Sequence, residues 1–124
     1  MRAMSDTNTL PDVAALIAFY EALSPASVGR FPEFYADDAC FKDPFNEVNG
    51  VLAIQGIFRH MFRQLADARF VVLEQVVAEN GVLLVWEMHF RRAGARGQGE
   101  ALQIRGATHL KFAADGKVVW HRDY

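Results

Sequence analysis

The sequence predicts an α+β domain in which helices come first along the chain and an antiparallel sheet follows. The first half carries apolar residues at the i, i+3, i+4 and i+7 spacing of amphipathic helices, whereas the second half carries apolar runs typical of strands. Asn80-Gly81 and Asp115-Gly116 separate such runs and are strong hairpin signals. We therefore expect three N-terminal helices packed on a strongly curved antiparallel sheet, a shape that tends to enclose a cone-shaped pocket.

Three helices are predicted, over 11–23, 28–35 and 54–65. The first places Tyr20 on its apolar stripe. The second contains Pro32, which predicts a kink or a late start. A short strand around Phe41 follows, and 46–50 is predicted to be a loop before the third helix, which has the strongest helical pattern.

Four longer strands are predicted, over 70–78, 82–92, 101–112 and 117–124. The basic, Gly-rich segment 91–97 is predicted to be a solvated loop between the second and third of them. Gly106 lies inside the third strand, where a glycine often marks a bend or a bulge.

Length and composition indicate one domain, over 11–124, preceded by a disordered or frayed N-terminus at 1–10. A net charge of −2 and scattered basic residues give no sign of a nucleic-acid partner. The chain lacks the apolar stretch of a signal peptide or a membrane span, so we expect a cytoplasmic protein without membrane contact.

Cysteine and histidine usage argues against a metal or redox role. Cys40 is the single cysteine, which excludes an internal disulfide, and no Cys/His cluster has the spacing of a zinc site. We expect neither a cofactor nor a metal. Ten phenylalanines indicate a deep apolar interior, whether packed solid or hollowed into a pocket.

Asp43 is the first candidate for acid–base chemistry. It ends the short strand just before Pro44, and it shares a face with Phe41 by the two-residue period of a strand. If Phe41 points inward, the Asp43 carboxylate points inward as well and is a candidate base. The alternative is that Asp43 opens an Asx-type turn and caps backbone amides.

His121 and Asp123 are a second candidate pair. They share a face of the last strand, about 7 Å apart along it, so that a water held between them could be polarised. The alternative is that both face solvent while Trp120 packs inward. Tyr20 is likewise either a pocket hydroxyl or an ordinary half-buried tyrosine.

An apolar wall is predicted on the strand 82–92, where Trp86, Met88 and Phe90 share one parity. A solid core and a pocket wall produce the same pattern, and the sequence does not separate them.

The order of these elements along the chain resembles that of the nuclear transport factor 2-like superfamily. The resemblance rests on a first helix with Tyr20, a second ending in Tyr35-Ala36-Asp37-Asp38, a strand into Phe41-Lys42-Asp43-Pro44, Gly50 before a third helix, and four strands. It spans about residues 12–124 and is greatest for the SnoaL-like and ketosteroid isomerase-like branches, which implies their cone-shaped fold.

For the isomerase branch, the resemblance implies a role for three residues. Tyr20 matches the tyrosine that donates to the dienolate oxygen, Asp43 matches the catalytic base, and Tyr35 matches a tyrosine that supports the first. Thr108 stands where that branch has a carboxylic acid, which an apolar site keeps neutral so that it can donate a hydrogen bond.

The last strand is similar to the Trp-Arg-Asp-Tyr ending of limonene epoxide hydrolase-like proteins. Asp123 matches their aspartate, which takes part in water activation and epoxide opening. Met88 and Phe90 stand where those proteins have their Arg and Asp partners, so that triad is incomplete here.

These observations predict a cofactor-independent isomerase, hydratase or hydrolase of a polycyclic, terpenoid or polyketide-like substrate. The alternative is a non-catalytic ligand-binding or dimerisation module of the same fold, and a homodimer through the outer face of the sheet is expected in either case. The predicted catalytic residues are Asp43, Tyr20, Asp123 and His121. The predicted substrate-binding residues are Tyr35, Phe58, Trp86, Met88, Phe90 and Thr108.

Overall fold

The structure is a computed structural model that describes residues 11–92 and 99–124. Besides a single 3₁₀ turn at Val28–Arg30, the described residues form three helices and six strands. The helices are α1 (Val13–Glu21), α2 (Phe31–Phe34) and α3 (Val51–Gln64). The strands are β1 (Tyr35–Lys42), β2 (Glu47–Asn49), β3 (Leu65–Ala78), β4 (Gly81–Arg92), β5 (Ala101–Phe112) and β6 (Val118–Asp123).

All six strands join one open sheet in the order β2-β1-β6-β5-β4-β3. Neighbouring strands are antiparallel except for β1 and β6, which are parallel, with Phe41 opposite His121. The predicted α+β class is therefore confirmed, but the sheet is mixed rather than wholly antiparallel. The parallel pair arises because the chain returns to β1 only after the whole β3–β6 meander.

The core lies between the three helices and one face of the sheet. We call this face concave; it carries Leu84, Trp86 and Thr108, and the opposite face is called convex. Phe31 and Tyr35 are fully buried there and pack edge to face, with ring centroids 5.1 Å apart. Ile54 and Phe58 of α3 are buried against the same cluster. Because α3 repeats its apolar residues at helical spacing, one side of it covers this core.

The predicted strand 70–78 begins five residues earlier, at Leu65, and two other predicted segments have a different secondary structure. The predicted second helix shortens to the 3₁₀ turn and the four-residue α2, and Tyr35 begins β1 instead of ending a helix. The predicted loop at 46–50 contains β2, which pairs with β1. Both errors arise where tertiary pairing overrides a weak local pattern.

Gly106 does not mark a bulge. It lies directly opposite Trp86 in an unbroken register between β4 and β5. A Cβ at this position would come within 2.6 Å of Trp86 Cη2. The glycine is therefore required because the indole lies across the backbone of β5.

The predicted frayed N-terminus at 1–10 and most of the predicted basic loop at 91–97 lie outside the described residues. Among the helices at 11–92 and 99–124, none combines the length and apolar character needed to cross a membrane.

Candidate active site

A cavity of about 600 Å³ opens between α3, the β1–β2 turn and the concave face of the sheet. Its volume is within the range of small-molecule sites. Most of its wall is apolar and comes from every layer of the fold, including Phe41, Phe58, Phe70, Val72, Leu84, Trp86, Met88 and Ile104.

Four titratable side chains form one hydrogen-bonded chain at the wall of this cavity. The Tyr20 hydroxyl bonds to the Tyr35 hydroxyl. Tyr35 Oη lies 2.6 Å from His121 Nδ1, and His121 Nε2 lies 2.7 Å from Asp123 Oδ1. Tyr20, His121 and Asp123 line the cavity, whereas Tyr35 is fully buried behind them.

The fold brings these four residues together from three elements. Tyr20 lies on the buried side of α1, and Tyr35 opens β1. His121 and Asp123 alternate along β6, so both side chains point to the concave face. The imidazole is 3% exposed and packs against the Phe41 ring, with ring centroids 4.5 Å apart.

Asp123 is also held from the neighbouring strands. Thr108 Oγ1 donates to Asp123 Oδ1 at 2.6 Å, and Trp86 Nε1 donates to Thr108 Oγ1 at 2.8 Å. The register of the sheet explains this, because Thr108 lies opposite Asp123 and is two residues from Gly106, which lies opposite Trp86. Trp86 and Thr108 are thus diagonal neighbours on one face.

Burial keeps both phenols protonated. Desolvation raises the pKa of Tyr20 well above its ordinary value; the Tyr35 hydrogen bond offsets part of this, and the Asp123 charge adds to it. Desolvation also raises the pKa of Tyr35, and Tyr20 and Asp123 add to the rise. Tyr20 and Tyr35 therefore act as neutral donors and acceptors at neutral pH.

Asp43 lines the cavity but also closes a turn. Its Oδ1 accepts from the backbone N–H groups of Phe45 at 2.8 Å and Asn46 at 2.6 Å. The Asn46 side-chain amide donates to both carboxylate oxygens, at 3.2 and 3.1 Å. This is the Asx-type turn given above as the alternative, and Asp43 and Phe41 both line the cavity.

The predicted site residues divide into two groups. The cavity wall contains Tyr20, Asp43, Phe58, Trp86, Met88, Thr108, His121 and Asp123. Tyr35 and Phe90 are not part of this wall, so their predicted direct contact with a substrate has no geometric support. Tyr35 is enclosed by the core, and Phe90 lies beyond Met88 along β4.

Several wall residues were not predicted as site residues. His60 lies on α3 four residues after Gly56, and both line the cavity. Helical spacing is the signal that could have indicated His60. Phe45 is 92% exposed at the mouth, next to the Asp43 turn. Arg105 also lines the cavity, and no sequence pattern marks it.

No cluster of three or more His, Cys, Asp or Glu side chains that could hold a metal ion occurs within 11–92 and 99–124. The reactive groups that the hydrogen-bonded chain offers are phenol hydroxyls, an imidazole and a carboxylate.

Comparison with solved structures supports the fold. A hypothetical protein from Catenulispora acidiphila with a ketosteroid isomerase-like fold, solved in complex with trimethylamine, is 18% identical, with 94% of this chain and 86% of that chain covered and a TM-score of 0.73. A proposed SnoaL-like polyketide cyclase from Jannaschia sp. CCS1 is 16% identical, with 90% and 83% covered and a TM-score of 0.77. An NTF2-like protein of unknown function from Exiguobacterium sp. 255-15 is 18% identical, with 86% and 91% covered and a TM-score of 0.71.

No curated protein matches the sequence. The family model for the SnoaL-like domain matches residues 16–121, which is most of the chain. The chain therefore belongs to the SnoaL-like domain family and has the nuclear transport factor 2-like fold.

Proposed function

We propose that this protein is an acid–base enzyme that acts, without a cofactor, on an apolar small molecule bound in the cavity. The observation that carries the proposal is the unbroken hydrogen-bonded chain from Tyr20 to Asp123 along an otherwise apolar wall. Paired titratable groups in a largely apolar cleft are typical of active sites.

Asp123 is the favoured base. Within the described residues, Thr108 and His121 both bond to Oδ1, and no hydrogen bond reaches Oδ2. A carboxylate held in this way keeps one oxygen available for the proton of a substrate. The neutral Tyr20 hydroxyl, which lines the same cavity, would then stabilise the oxygen on which negative charge develops.

Asp43 is the second candidate base. Its Oδ1 is engaged by two backbone amides, and its Oδ2 receives one bond from the Asn46 side chain. Both oxygens of Asp43 therefore already accept a hydrogen bond, whereas Oδ2 of Asp123 accepts none within the described residues. We therefore assign Asp43 to the cavity mouth, with a smaller share of the proton transfer than Asp123.

The substrate class follows from the wall. An apolar lining with few polar groups favours a largely hydrocarbon molecule that carries a carbonyl or a similar oxygen. Polycyclic, terpenoid and polyketide-like ketones meet this description. Isomerisation or hydration by proton transfer requires only the groups present here, whereas epoxide hydrolysis would lack the Arg and Asp partners replaced by Met88 and Phe90.

The test is turnover of a panel of cyclic enones, polycyclic ketones and epoxides, followed by chromatography with mass detection. For a substrate that is converted, we expect Asp123→Asn to lower kcat about 10² to 10⁴-fold, the usual contribution of a general base. Asp43→Asn is expected to lower kcat less. Asp115→Asn is the matched control, because Asp115 lies in an exposed turn and asparagine can still accept from the Lys117 amide.

Two outcomes would contradict this assignment. Preserved turnover in Asp123→Asn would remove Asp123 as the base. Loss of turnover in Asp43→Asn alone would transfer that role to Asp43.

A non-catalytic ligand-binding module is the second candidate function. The use of Asp43 to close a turn favours it, because that role accounts for the carboxylate without any reaction. Retention of an apolar molecule in native mass spectrometry, with no turnover across the panel, would support this alternative.

A further inference from the structure

In the hydrogen-bonded chain from Tyr20 to Asp123, the protonation state of the His121 ring decides which group donates and which accepts at each bond. Asp123 Oδ1 accepts from Thr108 Oγ1 and lies 2.7 Å from His121 Nε2. A carboxylate only accepts, so Nε2 carries a hydrogen whenever Asp123 is ionised. The remaining ring nitrogen, Nδ1, faces Tyr35 at 2.6 Å and is protonated or not.

With a neutral imidazole, the hydroxyl hydrogens of Tyr20 and Tyr35 both point along the chain toward His121. Nδ1 then accepts from the Tyr35 hydroxyl, and Tyr35 Oη in turn accepts from the Tyr20 hydroxyl. Tyr20 consequently offers the cavity only an oxygen lone pair. In this state the site suits a ligand that donates a hydrogen bond.

With a protonated imidazole, the same contacts reverse. Nδ1–H donates to Tyr35 Oη, Tyr35 donates to Tyr20 Oη, and the Tyr20 hydroxyl is free to donate into the cavity. Only hydroxyl rotations are needed, because each hydrogen bond joins the same two heavy atoms in both states. In this state the site suits an oxyanion.

We infer that the chain Tyr20–Tyr35–His121–Asp123 reverses as a unit, so that one proton taken up at His121 turns Tyr20 from an acceptor into a donor toward a bound phenolate or enolate. This inference rests on the proposed function, in which the cavity binds an apolar small molecule, and it adds that the bound molecule is an anion. Tyr35 is thereby a positioning residue, since it is buried behind the cavity wall and connects the two ends.

Other charged or titratable groups lie near His121 or line the cavity. A smaller pocket behind His121 is lined by Lys42, Glu47 and Arg122. The main cavity is also lined by Asp43, His60 and Arg105. None of these six residues hydrogen-bonds to His121 in the described part of the chain, whereas Tyr35 and Asp123 do.

The binding test uses 4-nitrophenol at a pH where it is ionised in solution. Calorimetry in buffers of different ionisation enthalpy measures proton uptake, and the visible band of the phenolate shows which form is bound. We expect uptake of about one proton per ligand with the phenolate band retained. Nitrobenzene, which lacks the hydroxyl, is expected to bind without proton uptake.

Variants identify the route of the proton. Tyr35→Phe is expected to abolish the coupled uptake and to weaken phenolate binding roughly tenfold, while nitrobenzene binding stays unchanged. His109→Gln is the matched control, because His109 packs against Trp120 and is not part of the cavity wall, and it is expected to retain the uptake. Unchanged uptake in Tyr35→Phe, binding as the neutral phenol, or no binding of 4-nitrophenol would each overturn the inference.

A measurement without ligand tests the reversal separately from the proposed enzymatic function. Nitrogen-15 correlation spectra of the His121 ring distinguish its tautomers. We expect the neutral ring to carry its hydrogen on Nε2 and the ring at low pH to carry hydrogens on both nitrogens. A neutral ring protonated on Nδ1 would contradict the inference, because Tyr35 would then accept in both states.

Discussion

The buried Tyr35 hydroxyl positions two residues of the cavity wall, although Tyr35 itself does not line the cavity. It is fully buried between Phe31 and His121, and its single oxygen bonds to Tyr20 on one side and to His121 on the other. A buried hydroxyl without partners would cost about 1 to 3 kcal/mol. The two bonds remove that cost and fix the positions of two cavity residues.

The raised pKa values of Tyr20 and Tyr35 predict a loss of stability in alkali. In the unfolded chain both phenols ionise near their ordinary pKa of about 10, whereas in the folded chain they stay protonated. Stability is therefore fully present below about pH 10 and decreases as the pH rises above it. Absorbance titration of Tyr124→Phe, which leaves only these two tyrosines, measures this directly.

We expect little tyrosinate in that variant until circular dichroism reports unfolding. Gradual ionisation of two tyrosines in a protein that is still folded would contradict the burial argument.

At the residue scale, the sequence predicted which side chains share a face of a strand, but not their hydrogen-bond partners. The two-residue period placed His121 and Asp123 on one face, and the structure shows them hydrogen-bonded on the concave side. Periodicity alone left both faces open. It could not indicate that Thr108 and Trp86 hold Asp123, because those contacts depend on the register between strands.

At the scale of the elements, β4 and β5 form the platform of the site. Trp86 lies across Gly106 and reaches Thr108 with its indole N–H. The glycine thus leaves the space that the aromatic ring fills. The position of Asp123 consequently depends on a residue that carries no side chain.

Gly106→Ala is expected to lower the free energy of unfolding by about 1 to 3 kcal/mol, because the new methyl group would overlap the Trp86 ring. Urea unfolding followed by tryptophan fluorescence measures the change. Gly56→Ala is the matched control, since a Cβ there meets no atom within 4 Å and alanine favours a helix by about 0.5 to 1 kcal/mol. Equal stability of Gly106→Ala and the wild type would contradict the close packing.

Strongly periodic elements were predicted well and weakly periodic ones were not. The third predicted long strand, 101–112, agrees with β5, and the two hairpin turns lie where Asn80-Gly81 and Asp115-Gly116 indicated. The short segments around α2 and β2 were assigned wrongly. Their conformations depend on pairing with distant strands, which no local pattern records.

At the scale of the whole molecule, the open sheet leaves its convex face uncovered by helices. Val76 and Leu83 are paired on neighbouring strands of this face, and Val76 is 47% exposed. Neighbouring apolar residues on a sheet face that no helix covers favour an interaction surface. The homodimer expected from the sequence, and its cytoplasmic location, stay predictions.

Sedimentation velocity tests the dimer. We expect a dimer at micromolar concentration, because a second copy would cover exposed apolar residues such as Val76. A stable interface of this kind buries about 800 Å² of each partner. Val76→Lys is expected to shift the equilibrium toward the monomer, whereas a lysine in place of the exposed Leu52 on α3 is not. A wild-type monomer under these conditions would contradict the prediction.

The hollow interior is the feature on which the whole account depends. Ten phenylalanines were compatible with either a solid core or a pocket, and the structure has both, with Phe31 fully buried and Phe41, Phe58 and Phe70 at the cavity wall. The composition could not indicate which phenylalanines fill the core and which line the cavity, since this depends on the distance between α3 and the sheet.

A crystal structure of the protein soaked with 2-naphthol tests this central claim most directly. The account predicts the naphthalene ring inside the cavity against Trp86 and Phe58, with its oxygen within hydrogen-bond distance of Tyr20. An interior closed by side chains, or a naphthol bound only outside the cavity, would contradict it.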